Sequence, residues 1–195
     1  MVHAGAFLYS LAGSRWAFGQ AGVAFAVADR TTALLEVNVG RGGREGRGFP
    51  YGIFKANLTR ELRPGRLAIE VEDQYVSVDE AKGNIVKVGG AVTRPAFAVR
   101  AAVHASIGGN IGARYVSGRL DLNLGTARLL GGMTIGRTRP EIFDLLSLSG
   151  TVHSTEAFVG ARFPVSSRDV TVVIEQLWIA GTRRTTALVS LGIPL

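Results

Sequence analysis

Residues 97–107 read Phe97-Ala98-Val99-Arg100-Ala101-Ala102-Val103-His104-Ala105-Ser106-Ile107. Every second residue from Phe97 to Ile107 is apolar, and the positions between them carry Arg100, His104 and Ser106. A period of two is the spacing of a β-strand, whose successive side chains point to opposite faces. The run is about twice the roughly 5 to 6 residues usual for strands in soluble proteins. It matches the roughly 9 to 11 residues a strand needs to cross a bilayer at a tilt.

The same pattern recurs on both sides of this segment. Phe54, Ala56 and Leu58 oppose Lys55, Asn57, Thr59 and Glu61. After the turn signal Arg63-Pro64-Gly65, Leu67, Ile69 and Val71 oppose Arg66, Glu70 and Glu72. Further on, Ala157, Val159, Ala161 and Phe163 oppose Glu156 and Arg162. The last run sets Ala187, Val189, Leu191, Ile193 and Leu195 against Arg184, Thr186 and Ser190. Gly, Pro, Asp or Asn closes each run, as strand ends require. The one helix candidate, Pro140 to Leu146, is short and reads as a loop helix.

These runs predict a single all-β domain over residues 1–195, a closed antiparallel up-and-down transmembrane β-barrel of about twelve strands, with ten as the lower count. Twelve follows if residues 110–124 form one strand bent by a bulge near Gly118. The even-numbered connections are then tight: Asp29-Arg30, Arg63-Pro64-Gly65, Arg94-Pro95, Gly125 and 164–168. The odd-numbered ones include longer stretches at 41–49, 79–83 and 137–150. Short turns at one rim and longer loops at the other is the arrangement of a membrane barrel.

Composition agrees. The 195 residues are 47% hydrophobic and 19% charged, and mean hydropathy is positive, so apolar and charged groups must lie on separate surfaces. The formal charge is +7, and Lys occurs only at positions 55, 82 and 87. The arginines are spread through nearly every segment. That footprint argues against nucleic acid, whose binders gather charge on one stripe or tail; a GC-rich genome is a second source of the Arg bias. Without cysteine there are no disulfides or thiolate metal sites. With three histidines, no metal centre or cofactor is expected. No run of roughly 18 apolar residues exists to form a membrane helix, so strands must do any crossing. No basic segment followed by a long apolar one opens the chain, so for an exported protein the expectation is a mature form with its signal peptide removed. Trp16, Phe49, Tyr51, Tyr75, Tyr115 and Trp178, near run ends, are candidates for an interfacial girdle or for core positions.

In their dyad pattern, the runs 54–61, 66–78, 96–107, 156–163 and 183–195 resemble the bacterial outer-membrane β-barrel superfamily, across nearly the whole length. Such barrels commonly finish in an aromatic residue, whereas this chain finishes Gly192-Ile193-Pro194-Leu195. In size and charge it is similar, within that superfamily, to small channels for acidic oligosaccharides that line a narrow lumen with arginine. The resemblance implies residence in a bacterial outer membrane, with membrane lipid and small anionic solutes as partners.

If the apolar faces meet lipid, Lys55, Arg66, Arg100, Arg162 and Arg184 point inward, joined by Glu61, Glu70, Glu72 and Glu156. Rings of arginine favour anion passage, because the planar fork matches carboxylates and phosphates. The alternative is that these charges pair and fill the interior. A candidate catalytic pair is His104 and Ser106, which share a strand face so that an imidazole could serve a hydroxyl as base. Outer-membrane phospholipases and deacylases use His-x-Ser, usually followed by Asn; here Ile107 follows. Alternation places both residues inward, away from lipid. The function expected first is a passive pore for small anionic solutes. Its rivals are a soluble barrel with a lipid-like ligand inside and a lipid hydrolase using His104 and Ser106.

Overall fold

A computed structural model describes residues 2–11, 14–44, 47–78, 81–138, 152–165, 168–179 and 181–192. The alternating runs become twelve strands: β1 (Val2–Leu11), β2 (Ser14–Ala28), β3 (Thr31–Arg44), β4 (Arg47–Arg63), β5 (Leu67–Val78) and β6 (Ala81–Thr93), then β7 (Phe97–Ile107), β8 (Arg114–Leu124), β9 (Ala127–Thr138), β10 (Val152–Val165), β11 (Arg168–Ile179) and β12 (Thr182–Gly192). They form one sheet in sequence order from β1 to β12. Each adjacent pair is antiparallel, so every ladder among the described residues is a hairpin ladder. The strands run from 10 to 17 residues.

Register carries the alternation from strand to strand. Leu58 pairs with Val71, Val71 with Val88, Val88 with Val103, and Val103 with Val116. These five are 46%, 48%, 56%, 61% and 50% exposed in the order Leu58 to Val116. An aliphatic row left this open across five strands is the reverse of a soluble core, where such residues are the first to be buried.

The buried apolar residues lie on the opposite face. Ile53, Val76, Ile85, Ile111, Ala113 and Tyr115 form one cluster, in which Val76, Ile111 and Ala113 have no exposure. Ile53, Val76, Ile85 and Tyr115 come from β4, β5, β6 and β8. Ile111 and Ala113 come from the connection 108–113, which folds back across the polar face instead of standing clear of the rim. The Asn110 amide donates to the Lys82 carbonyl at 2.9 Å and the Ser106 amide to the Ala113 carbonyl at 2.8 Å. The Asn110 Oδ1 accepts from the Lys82 amide at 2.8 Å. Gly109 permits this approach: its φ is +66°, and a Cβ there would overlap the Lys82 carbonyl oxygen.

Three sequence expectations are corrected. Residues 110–124 are not one bulged strand; β8 starts at Arg114, and Gly118 pairs regularly with Ala101 and Met133. The register shifts fall instead at Ala26/Ala28 and Glu61/Arg63, both beside tight turns. The stretch 41–49 is mostly strand, with Arg41 opposite Pro50 and Arg44 opposite Arg47. The stretch 79–83 shortens in the same way, since β5 ends at Val78 and Ala81 opens β6 opposite it; twelve strands and the tight even-numbered turns hold. The Pro140–Leu146 helix falls outside the described residues.

The tight-turn rim is stitched sideways. The Arg30 carbonyl accepts from the Glu61 amide at 2.9 Å, Arg66 from Thr93 at 2.8 Å, and Ala96 from Asn123 at 2.8 Å. Each turn thereby satisfies a carbonyl with the next hairpin, as buried or membrane-facing backbone must.

Truncating Ile111 to Ala should cost about 2 to 5 kcal/mol, the range for emptying a fully buried aliphatic site. Equilibrium urea unfolding checks this, and an unchanged midpoint would show that 108–113 does not seal this end of the sheet.

Candidate functional site: the charged face

The polar face divides into a charge-paired sector and a cation-rich one. In the paired sector, Lys55 on β4 lies directly opposite Glu36 on β3, and its Nζ sits 2.9 Å from Glu36 Oε1. Asn38 Nδ2 donates to the same oxygen at 3.1 Å. One strand on, Asn57 Nδ2 donates to Glu72 Oε2 at 3.3 Å and Thr59 Oγ1 to Asn57 Oδ1 at 2.9 Å. Lys87 on β6 pairs with Glu70 and lies 3.6 Å from Glu72. Ladder neighbours thus hand each charge to the next strand, which keeps part-buried polar atoms bonded.

The cation-rich sector spans β7 to β11. Arg100 lies opposite Arg119 and Arg128 opposite Arg162. Like charges facing each other in a ladder destabilise it. Asp121 lies 2.7 Å from Arg119 Nε and Asp169 pairs with Arg162, while Glu156 on β10 and Glu175 on β11 share this face nearer the loop end. Arg128 Nε donates to Asn123 Oδ1 at 3.1 Å. All four arginines are exposed, and a cavity of about 280 Å³ opens between Glu70, Lys87, Arg100, Ser117 and Arg119.

The expected site residues therefore have different settings. Lys55 is neutralised by Glu36. Arg100 and Arg162 belong to the cation-rich sector. Arg184 on β12 approaches Glu175 on β11 at 3.7 Å, closer to the loop end. Arg66 sits exposed in the turn before β5, at the rim and outside the groups just described. Sequence reasoning missed Glu36, Lys87, Arg119 and Arg128. Arg119 and Asp121 become legible once Gly118 is paired regularly, since alternation then runs unbroken through β8.

His104 Nε2 lies 2.9 Å from the Ser117 Oγ, and its ring stacks on Tyr115 with centroids 4.1 Å apart. Its hydroxyl partner comes from the neighbouring strand, while Ser106, two residues along, engages the 108–113 connection through its amide. The expected His104–Ser106 pair is thus replaced by a His104–Ser117 contact across the ladder. Of the aromatic candidates, Tyr115 takes a core position, buried on the polar face, while Tyr75 and Trp178 stand exposed on the apolar one. The side chains of Trp16, Phe49 and Tyr51 lie outside the described set.

No family model matches the chain, and no curated protein matches it in sequence. Solved structures do match in shape. One, described as "KdgM porin", superposes over 100% of this chain and 96% of its own with a TM-score of 0.63 at 8% identity. Another, described as "Unveiling the Mechanism Behind the in-meso Crystallization of Membrane Proteins", covers 98% of this chain and 81% of its own with a TM-score of 0.60 at 12% identity. At such identities the likeness establishes the fold alone, an up-and-down antiparallel β-barrel.

Replacing Lys55 by Met should destabilise by about 3 kcal/mol, because the Glu36 carboxylate, 9% exposed, is left without its cation. Adding Glu36→Gln should recover most of that loss. A double-mutant cycle by urea unfolding measures it; additive penalties would mean the pair is not coupled.

Proposed function

We propose that the chain is a bacterial outer-membrane β-barrel acting as a passive channel for small anionic solutes. The observation that carries this is the division of the sheet, with an exposed aliphatic row on one face and arginines set opposite one another on the other. Acyl chains would cover the aliphatic row at no cost in polar burial. The second face would line the interior, where Arg100 lies opposite Arg119 and Arg128 opposite Arg162, and where among the described residues these four make ion pairs with Asp121 and Asp169. A solute carboxylate or phosphate would exchange part of its hydration for guanidinium contacts, weakly enough at each step to leave again. The structural likeness to a protein described as a porin supports a channel over an enzyme.

The rivals fit less well. A soluble carrier would turn Val71, Val88, Val103 and Val116 inward around its ligand, whereas they are about half or more exposed. A lipid hydrolase would present its nucleophile to acyl chains, whereas His104 and Ser117 lie on the face away from them.

The inward connection 108–113 makes the loop end the narrow end. Purified protein in a planar bilayer should give anion-selective current steps. Charge reversal at both Arg100 and Arg119 to Glu should shift selectivity toward cations, and unchanged selectivity would sink the arginine role. Shortening the 108–113 connection should raise single-channel conductance. Placing Arg at Val103 should lower folding stability in lipid vesicles by about 2 to 4 kcal/mol, as at a bilayer midplane; no loss there would mean that this face does not meet lipid.

A further inference from the structure

The outward face of β8 to β12 carries no carboxylate at any register position of the described strands. Its charged residues fall at the strand ends, and they gather at the loop end. Arg114, first in β8, lies opposite Arg137 near the end of β9. Arg137 in turn lies opposite His153, second in β10. One step below, Thr155 pairs with Trp178, and Trp178 with Arg183, second in β12. Arg114, Arg137, His153, Trp178 and Arg183 are all exposed, and none of the three arginines has an ion-pair partner among the described residues. A groove of about 290 Å³ runs between His153, Thr155, Trp178 and Arg183. Directly beneath this band the face turns apolar, with Val116, Ile135, Val159 and Ile174 exposed.

We infer that this band is a binding site for the phosphates of a phosphorylated glycolipid of the lipid A type in the outer leaflet. The inference rests on the membrane reading above, which puts the longer loops on the outer side. Neighbouring strands stand about 4.8 Å apart, so Arg114 and Arg137 present adjacent guanidinium forks to a single phosphate. Such forks bind phosphate through paired hydrogen bonds. Trp178 sits where an aromatic ring favours the headgroup level, and the aliphatic surface below takes the acyl chains of the same molecule. The charge complementarity is one-sided, because no acidic residue of the described strands stands on this part of the outward face to compete for the cations.

The test uses the whole folded protein in detergent, with native mass spectrometry reading bound lipid. Bis-phosphorylated lipid A is compared with its dephosphorylated form and with phosphatidylglycerol. The expected result is retention of lipid A over both. In R114Q/R137Q/R183Q its affinity should fall by on the order of a hundredfold, the summed effect of three cations near a phosphate surface. Equal binding of dephosphorylated lipid A or phosphatidylglycerol, or an unaltered triple variant, would overturn the site. Insertion into vesicles is scored separately by the gel shift between heated and unheated samples, and the triple variant should retain that shift. If the parent inserts yet ignores lipid A, the headgroup site alone falls; if the parent fails to insert, the membrane reading falls with it.

Discussion

The structure depends on a continuous antiparallel register in which no strand may slip by a single residue. Side chains alternate with a period of two, so a one-residue shift in any ladder would send that strand's aliphatic row to the charged face and its charges to the other. Such a shift would place several charges among exposed valines and leave glutamates such as Glu36 and Glu70 without their lysines. The two irregularities in the ladders, at Ala26/Ala28 and Glu61/Arg63, sit beside turns. There the local disturbance ends within a residue or two and the alternation above it is preserved.

Much of this was legible from the chain itself. The runs 54–61 and 97–107 identify their strands, because alternation is a local property and each residue's face follows from its neighbours. The count and the tight even-numbered turns also came through. Partnership across strands did not. His104 looks paired with Ser106 when the chain is read in order, yet its contact is Ser117, brought opposite by a ladder that no local pattern specifies. Lys55 was recognisable as a charge on the polar face, but its neutralisation by Glu36 depends on a register between distant segments.

The misjudged connections have physical causes. Residues 41–49 are rich in Gly and Arg, a composition typical of loops, but a hairpin already aligned below can extend upward with little help from side-chain preference. The connection 108–113 misled in the other direction. Three glycines at positive φ, Gly108, Gly109 and Gly112, resemble an exposed loop. They instead supply the bends by which Ile111 and Ala113 reach the interior, and a lone isoleucine among polar and small residues was the only hint.

The interior is therefore not the same at its two ends. Arg100, Arg128 and Arg162 lie toward the tight turns, while at the loop end Ile111 and Ala113 are buried against the polar face. In the proposed channel an anion driven in from the turn side meets a reservoir of its own kind before the narrow passage, whereas one driven from the loop side meets the passage first. Such a conduit would behave like a leaky electrical diode, passing more current under one polarity than under its opposite.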